Sequence, residues 1–366
     1  MKFQSWWLYA RAGYEADLAA ELEQYSADYQ VFGYCKFVPK STLVHFSSYQ
    51  PCEQSALQYK HLIFARQLVA KLGEISFDNQ QDRVAAILSF LDEQIPTNEQ
   101  LLFGDLFIEY ADTEEGRQIA KFCQKFTVPL RQALRAKAWQ TKAANNKLAY
   151  LHLYFEHSGR CLVGCSFPGN RSQHLLGIQR LKFPHDAPSR STLKLDEAIQ
   201  TFLKPSLQKL LFSAGMTAVD LGACPGGWTY QLAARGLSVE AVDNGKMDPA
   251  LMATGKVHYA AADGFKYRPR DGHVDWLVCD MIEKPQQVAD LVQKWLVNYW
   301  ATSCIINLKL PMKHRYRTLA EILQTFRHSL GQESEYQLFA KHLYHDRDEI
   351  TFMVIRGPHL LSYKAK

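Results

Sequence analysis

No stretch of this sequence approaches the roughly 18 consecutive apolar residues that a membrane-spanning helix needs. The start, MKFQSWWLYARAGYE, also lacks an apolar run followed by a small-residue cleavage site, so neither export nor a membrane span is expected and the expected location is cytoplasmic. Cysteine is sparse, eight in 366 residues with no C-x-x-C pair, which excludes a disulfide scaffold. The nearest approaches to a ligand set are Cys161 with Cys165, which straddle an expected strand turn, and His342 with His345, which lack a nearby H-E-x-x-H helix, so no metal is expected. Two phosphate-binding signatures are missing as well: the G-x-x-x-x-G-K-[ST] cradle and the G-x-G-x-x-G dinucleotide turn. Finally, residues 117–147 contain no Asp or Glu at all, although they carry eight Lys and Arg.

That one-sign block is the informative part of a mild net charge of +5. Arg117, Lys121 and Lys125 recur every fourth residue, and so do Arg131 and Arg135, so each set lines one side of a helix, with Pro129 expected to restart the helix between them. With Lys142 they form a stripe along which a polyanion could lie. A solvated helix would read the same way. Phe122, Phe126 and Trp139 lie nearby, to pack or to stack.

The length implies two or three compact units. Residues 1–55 read as a small α+β module, with short strands at 5–11, 30–38 and 41–46 around a helix at 13–27. Residues 56–179 read as a second α+β unit: a strand at 62–72, a helix at 79–94, a strand at 101–110, the basic helices over about 114–140, and a hairpin around Ser158 and Gly159. Residues 180–190, RLKFPHDAPSR, read as a linker. From 191 to 366 strand and helix alternate, beginning with a long helix at 192–212, which implies a parallel sheet covered on both faces and closed by an antiparallel strand. Ligands of such sheets sit at the carboxyl ends of the strands.

The stretch VDLGACPGGWTYQLAARG, residues 219–236, has an apolar strand, a glycine-rich turn and a helix start. Cys224, Pro225, Gly226 and Gly227 form a turn that lets a ligand approach the backbone, with the amides of the following helix turned towards it. S-adenosylmethionine fits better than a phosphate-bearing nucleotide, because it offers an adenosine and an amino-acid tail but no phosphate. Asp243, ending the next strand, can accept from both ribose hydroxyls, and Asp263, just past the third, can meet the adenine amino group. Asp280 ends the fourth strand. Any one of these acids alone is more often a cap or a surface residue; Asp220, Asp243 and Asp263, at three successive strand ends beside that turn, point to a site.

SRSTLKLDEA, DLGACPGGWTYQL, VDNG, CDMIEKP, INLKLPMK and HDRDEITFMV together closely resemble the Rossmann-like methyltransferases of the FtsJ type over residues 189–356. With the α+β front half, similar to a ferredoxin-like module followed by a THUMP-type RNA-binding region, the whole chain resembles the RlmM family. The resemblance implies S-adenosylmethionine as cofactor, and 2′-O-methylation of a cytidine ribose in 23S ribosomal RNA by a Lys–Asp–Lys–Glu tetrad. At matching positions these are Lys194, Asp280, Lys309 and Glu349, with Ser191 at the cofactor; a plain helix cap is the other reading of Ser191. Asp346 and Asp348 lie beside Glu349 and are the alternative fourth members. The expected partner is the RNA before full subunit assembly, and the expected working form is a monomer.

The chemistry follows without the name. A ribose hydroxyl is a poor nucleophile, so methylating it requires in-line positioning and a base that takes the proton as the bond forms. Lys309 is the candidate base and Lys194 the neighbouring cation; Asp280 and Glu349 would oppose loss of a proton from either lysine, which gives positioning more weight than basicity. The fourth-strand loop, D-M-I-E-K-P, has neither the cysteine of a base-carbon methyltransferase nor the N/D-P-P-Y/F of an amino-group one. Three alternatives stay open: an RNA-binding or assembly protein that keeps the fold without catalysis, an O-methyltransferase of another RNA, and one of a small molecule.

Overall fold

The computed structural model describes residues 1–78, 82–95, 101–332 and 334–365. The chain divides into two compact units, Met1–Gln179 and Arg180–Lys366, each built on its own seven-stranded sheet.

The first unit runs β1 (Lys2–Tyr9), α1 (Glu15–Asp28), β2 (Gly33–Phe37), β3 (Leu43–Glu53), β4 (Gln67–Ser76), α2 (Arg83–Gln94), β5 (Phe103–Glu109), α3 (Ala120–Ala136), β6 (Ala149–His157) and β7 (Arg160–Ser166). The strands lie in the order β2-β3-β1-β4-β7-β6-β5. The first four have the ferredoxin-like arrangement, with only a 3-10 turn at Tyr59–His61 where a second helix would lie. β4 pairs antiparallel with β1 on one side and with β7 on the other. The division expected between residues 55 and 56 therefore falls within one continuous sheet, because β4, placed in the second module by the sequence, completes the ladder of the first.

Three expected elements change. The strand expected from residue 62 begins at Gln67; Ile63 and Phe64 are buried ahead of it, and their amides donate to the Glu21 carboxylate of α1, at 2.5 and 3.0 Å, instead of to a neighbouring strand. The helix expected from residue 79 begins at Arg83, where the Asp82 carboxylate accepts from the amides of Val84 and Ala85; residues 79–81 lie outside the described residues. The two basic helices are one, since α3 runs unbroken through Pro129. Proline forfeits one backbone bond there, but Cys123, Phe126, Leu130 and Leu134 form a buried stripe against the sheet, and that burial outweighs the loss.

The second unit runs α4 (Thr192–Phe202), α5 (Pro205–Leu211), β8 (Thr217–Leu221), α6 (Gly227–Ala234), β9 (Ser238–Val242), α7 (Pro249–Met252), β10 (Val257–Ala260), β11 (Val274–Cys279), α8 (Pro285–Val297), β12 (Ala301–Lys309), α9 (Arg315–Leu330), β13 (Tyr336–Lys341), β14 (Glu349–Arg356) and α10 (Gly357–Lys364). The helix expected over 192–212 is split, because Pro205 disfavours helical backbone at Lys204. The order is β10-β9-β8-β11-β12-β14-β13. Neighbouring strands are parallel from β10 to β12, and β14 is antiparallel to both β12 and β13. The strand order reverses between β8 and β11, so a crevice opens at their carboxyl ends.

Trp276 anchors this sheet. It is fully buried, donates from its indole to the Leu211 carbonyl at 2.7 Å, and stacks between Phe212 and His359. Trp276→Ala is expected to destabilise the second unit by roughly 3–5 kcal/mol through the cavity it leaves; urea unfolding followed by circular dichroism measures this, and a loss below about 1 kcal/mol would show that the core refills.

Candidate active site

β8 and β11 end side by side, which brings the glycine turn and Asp280 to the same crevice. Gly222 and Gly226 hold positive φ, +79° and +121°, backbone that disfavours a side chain. Close approach restricts the turn further: a Cβ on Gly222 would lie 2.6 Å from the Met281 side chain, and one on Gly227 would fall 2.1 and 2.4 Å from the hydroxyls of Ser191 and Ser189. The Ser191 hydroxyl makes no helix-capping bond; it lies 2.7 Å from that of Ser189, over the start of α6. Cys224, half-buried, joins Pro225 through a cis peptide bond.

Asp243 is bound into the turn, accepting from the amides of Cys224 at 3.0 Å and Gly245 at 2.8 Å. Each carboxylate oxygen keeps lone-pair capacity for a ligand hydroxyl. Asp263 is exposed beyond β10, where it accepts from the Phe265 amide at 2.9 Å.

The sequence puts Asp220 at the end of the strand before the glycine turn but assigns it no ligand. It is buried at the end of β8; one oxygen accepts from the Thr229 hydroxyl at 2.6 Å, and the other has no partner among the described residues. Burial pushes its carboxyl up to about 7. The sequence signal, an acid followed by a glycine turn and Thr229, was present, but a strand-end acid that is buried reads like one that caps a loop. An unmatched buried acceptor, an open glycine turn and the anchored Asp243 together fit a ligand with an amino-acid tail and an adenosine.

On the other side of the crevice the Lys194 ammonium, from α4, lies 3.2 Å from both oxygens of Asp280 and 3.4 Å from Glu349. Burial pulls Lys194 downward, but the fields of Asp280, Glu349 and Asp346 outweigh it and hold the ammonium above its ordinary value. Asp280 is itself raised, by burial first and then against the pull of Lys194. The two shifts have different causes: the neighbouring carboxylates raise Lys194, and loss of water raises Asp280. Of the three acids near 346–349, Glu349 is the one within ion-pair distance of Lys194. Asp346 is instead buried below, accepting from the Thr351 hydroxyl at 2.8 Å and the Asn307 amide at 3.4 Å, with its carboxyl driven well upward by burial. Asn307 also donates to Asp280 at 3.1 Å, so it bridges the two acids. One turn along α4 from Lys194, the buried Glu197 accepts from the amides of Tyr344 and His345 and pins the loop that leads to Glu349.

Lys309 stands directly across the ladder from Glu349. Strand alternation puts it on the same face of β12 as Asn307. Its side chain is exposed, and its ammonium has no partner among the described residues. Three members of the expected tetrad are thus in contact, and the fourth is their open neighbour.

In the first unit, Arg117, Lys121, Lys125, Arg135 and Lys142 are exposed. Arg131 is not available in the same way: it donates to Asp105 at 2.8 Å and to the Leu106 carbonyl at 3.2 Å, tying α3 to β5. Phe126 and Trp139 are buried, and Phe122 packs edge-on against Phe155, so the nearby aromatics form core contacts.

Family models match three stretches of the chain: the RlmM ferredoxin-like domain at residues 3–69, the N-terminal domain of ribosomal RNA large subunit methyltransferase M at 82–167, and an FtsJ-like methyltransferase at 187–311. Over 354 residues the chain is 47% identical to the ribosomal RNA large subunit methyltransferase M of Histophilus somni, covering 95% of this chain and 98% of the relative. It is 49% identical over 350 residues to that of Pseudoalteromonas atlantica, covering 94% and 97%, and 44% identical over 361 residues to that of Haemophilus influenzae, covering 96% and 99%. The chain belongs to the ribosomal RNA large subunit methyltransferase M family. It is therefore an S-adenosylmethionine-dependent methyltransferase, with a Rossmann-like catalytic sheet behind a ferredoxin-like start.

The Asp220 carboxyl titrates higher in the folded chain than in an unfolded one, so between 3.8 and about 7 the folded state holds the extra proton and stability falls as pH rises. Asp220→Asn is expected to reduce the pH slope of ligand-free unfolding across that window by up to about one proton. Urea midpoints taken at several pH values test this, and an unchanged slope would place the proton uptake elsewhere.

Proposed function

We propose that the chain transfers a methyl group from S-adenosylmethionine to the 2′-hydroxyl of a cytidine ribose in 23S ribosomal RNA, with Lys309 as general base. The observation that carries this reading is the Lys194–Asp280–Glu349 cluster beside the glycine turn, with Lys309 across the ladder from Glu349.

Gly226, Gly227 and Ser191 would hold the cofactor along the turn, Asp220 its amino-acid end, Asp243 its ribose and Asp263 its adenine. When bound, the cofactor supplies a methyl group made electrophilic by a sulfonium centre. Lys194, held as an ammonium by its acids, serves as a fixed positive charge and hydrogen-bond donor rather than as a base. Asp280, kept in place by Lys194 and Asn307, orients the reacting groups. Lys309, whose Nζ has no partner among the described residues, in its amine form takes the proton from the ribose oxygen as that oxygen bonds to the methyl carbon. The in-line geometry, set by these contacts, contributes more than any single proton transfer.

The same reading takes RNA that is not yet fully assembled as the substrate, a monomer as the working form, and the exposed Arg117, Lys121, Lys125, Arg135 and Lys142 as phosphate contacts. A phosphate role for Arg131 would compete with its bond to Asp105.

Incubation with labelled cofactor and ribosomal RNA from cells that lack the protein should label the 2′-oxygen of a cytidine, more strongly in free RNA than in complete subunits; label on a base would overturn the assignment. Lys309→Ala, and equally Lys309→Arg, which cannot give up its proton, should slow transfer by roughly 10²–10⁴-fold while cofactor affinity stays within a few-fold. Normal turnover in either variant would remove Lys309 as the base. Lys121→Glu with Lys125→Glu should weaken RNA binding and flatten the logarithmic salt dependence by about 0.7 for each phosphate that is no longer neutralised. An unchanged slope would take α3 out of the RNA site.

A further inference from the structure

We infer that the exposed outer part of one face of the first sheet, on β2 and β3, is a stacking platform for unpaired bases of the RNA. This rests on the ribosomal RNA reading above and adds a second contact region to the basic helix.

β2 is the outermost strand and pairs with β3 alone. Alternation sorts its residues onto two faces. Cys35 reaches the Ala19 carbonyl of α1, and its ladder partner Phe46 is buried, so that face is packed beneath the helix. The opposite face holds Tyr34, across from Ser47, and Lys36, across from His45. Ser47 in turn faces Ser5 of β1, the two hydroxyls 3.3 Å apart. Tyr49, two residues beyond Ser47, returns its ring to within 6.2 Å of the Tyr34 ring at a tilt of 37°. Both rings are open to solvent, Tyr34 at 42% and Tyr49 at 66% exposure, and the Lys36 ammonium lies 5.3 Å from the centre of the Tyr34 ring.

Large side chains so exposed on a paired strand call for an occupant. Tyrosine is common on protein-docking faces too, so the occupant is decided by the polar groups and the charge around the rings. This one presents aromatic rings, hydroxyls, an imidazole and an ammonium. Every nucleotide has a base face to stack on a ring, base edges for hydroxyls to bond and a phosphate to meet a cation. Charge agrees. The acids bordering His45, Glu74 and Glu156, are matched by Lys71 and Arg160. Lys36 and Lys40, by contrast, have no carboxylate partner among the described residues. A duplex has no free base faces, so the platform takes single-stranded segments.

The test uses the full chain carrying Tyr34→Ala with Tyr49→Ala, and a second variant carrying Tyr34→Phe with Tyr49→Phe. Fluorescence anisotropy with a short labelled single-stranded RNA, and with the same sequence closed into a duplex, reads the affinities. The alanine pair should weaken single-strand binding by about tenfold or more and leave duplex binding unchanged, whereas the phenylalanine pair, which keeps the rings, should bind as the parent does. Single-strand affinity unchanged in the alanine pair, or reduced equally in the phenylalanine pair, overturns the platform. So does a parent chain that sediments as a dimer which the alanine pair dissociates, since the surface then belongs to a second copy. A parent that methylates ribosomal RNA while the alanine pair binds normally defeats the platform alone; a parent that neither binds nor methylates RNA defeats the functional reading as well.

Discussion

The ammonium of Lys194 lies among more negative charge than it can neutralise. Asp280 and Glu349 are in contact with it, and Asp346 adds its field from below. The four groups come from separate segments: one helix, the end of β11, a loop and the start of β14. Removing the cation would leave the half-buried Asp280 and Glu349 and the buried Asp346 facing one another, so the segments are held together by a shared need for a single positive charge. The excess raises the amine, while burial raises Asp280, so both members of the pair are shifted upward. A site with surplus negative charge is suited to a cationic methyl donor and to a second lysine at its rim.

Around that cluster the fold supplies rigidity from neutral partners. Asn307 spans Asp280 and Asp346 with its amide, and the one Thr351 hydroxyl lies between the Asn307 oxygen and Asp346, at 2.7 and 2.8 Å, so the side chains of β12 and β14 are locked in register where Lys309 and Glu349 are ladder partners. Glu197 does the corresponding work for the approach to β14 by satisfying two loop amides. Across the crevice, glycines let the turn pass beneath two serines and beside Met281, an approach that no larger residue would allow. The two halves of the site are thus positioned by different means, one by polar bonding and the other by the absence of side chains.

Much of this was legible in the sequence. The alternation of strands and helices after residue 191, the glycine turn and the strand-end acids appear as local patterns, because each depends on neighbours within a few residues. The front half was harder. Pro129 signals a helix break, yet the stripe from Cys123 to Leu134 keeps α3 whole. Arg131 reads as one more basic residue until Asp105 is seen beneath it. Phe126 and Trp139 read as stacking candidates until their burial is known. In each case a local preference was overridden by a partner distant in sequence.

The sequence alone determined which chemical groups are available and which segments carry them, since periodicity, turn residues and charge runs are properties of the chain itself. It could not determine that β4 joins the front modules into one sheet, that Asp220 is buried with an unmatched oxygen, or that Glu349, and not Asp348, reaches Lys194. Those outcomes depend on which strands become neighbours and which carboxyl groups lose water, and both are fixed only when distant parts of the chain pack together.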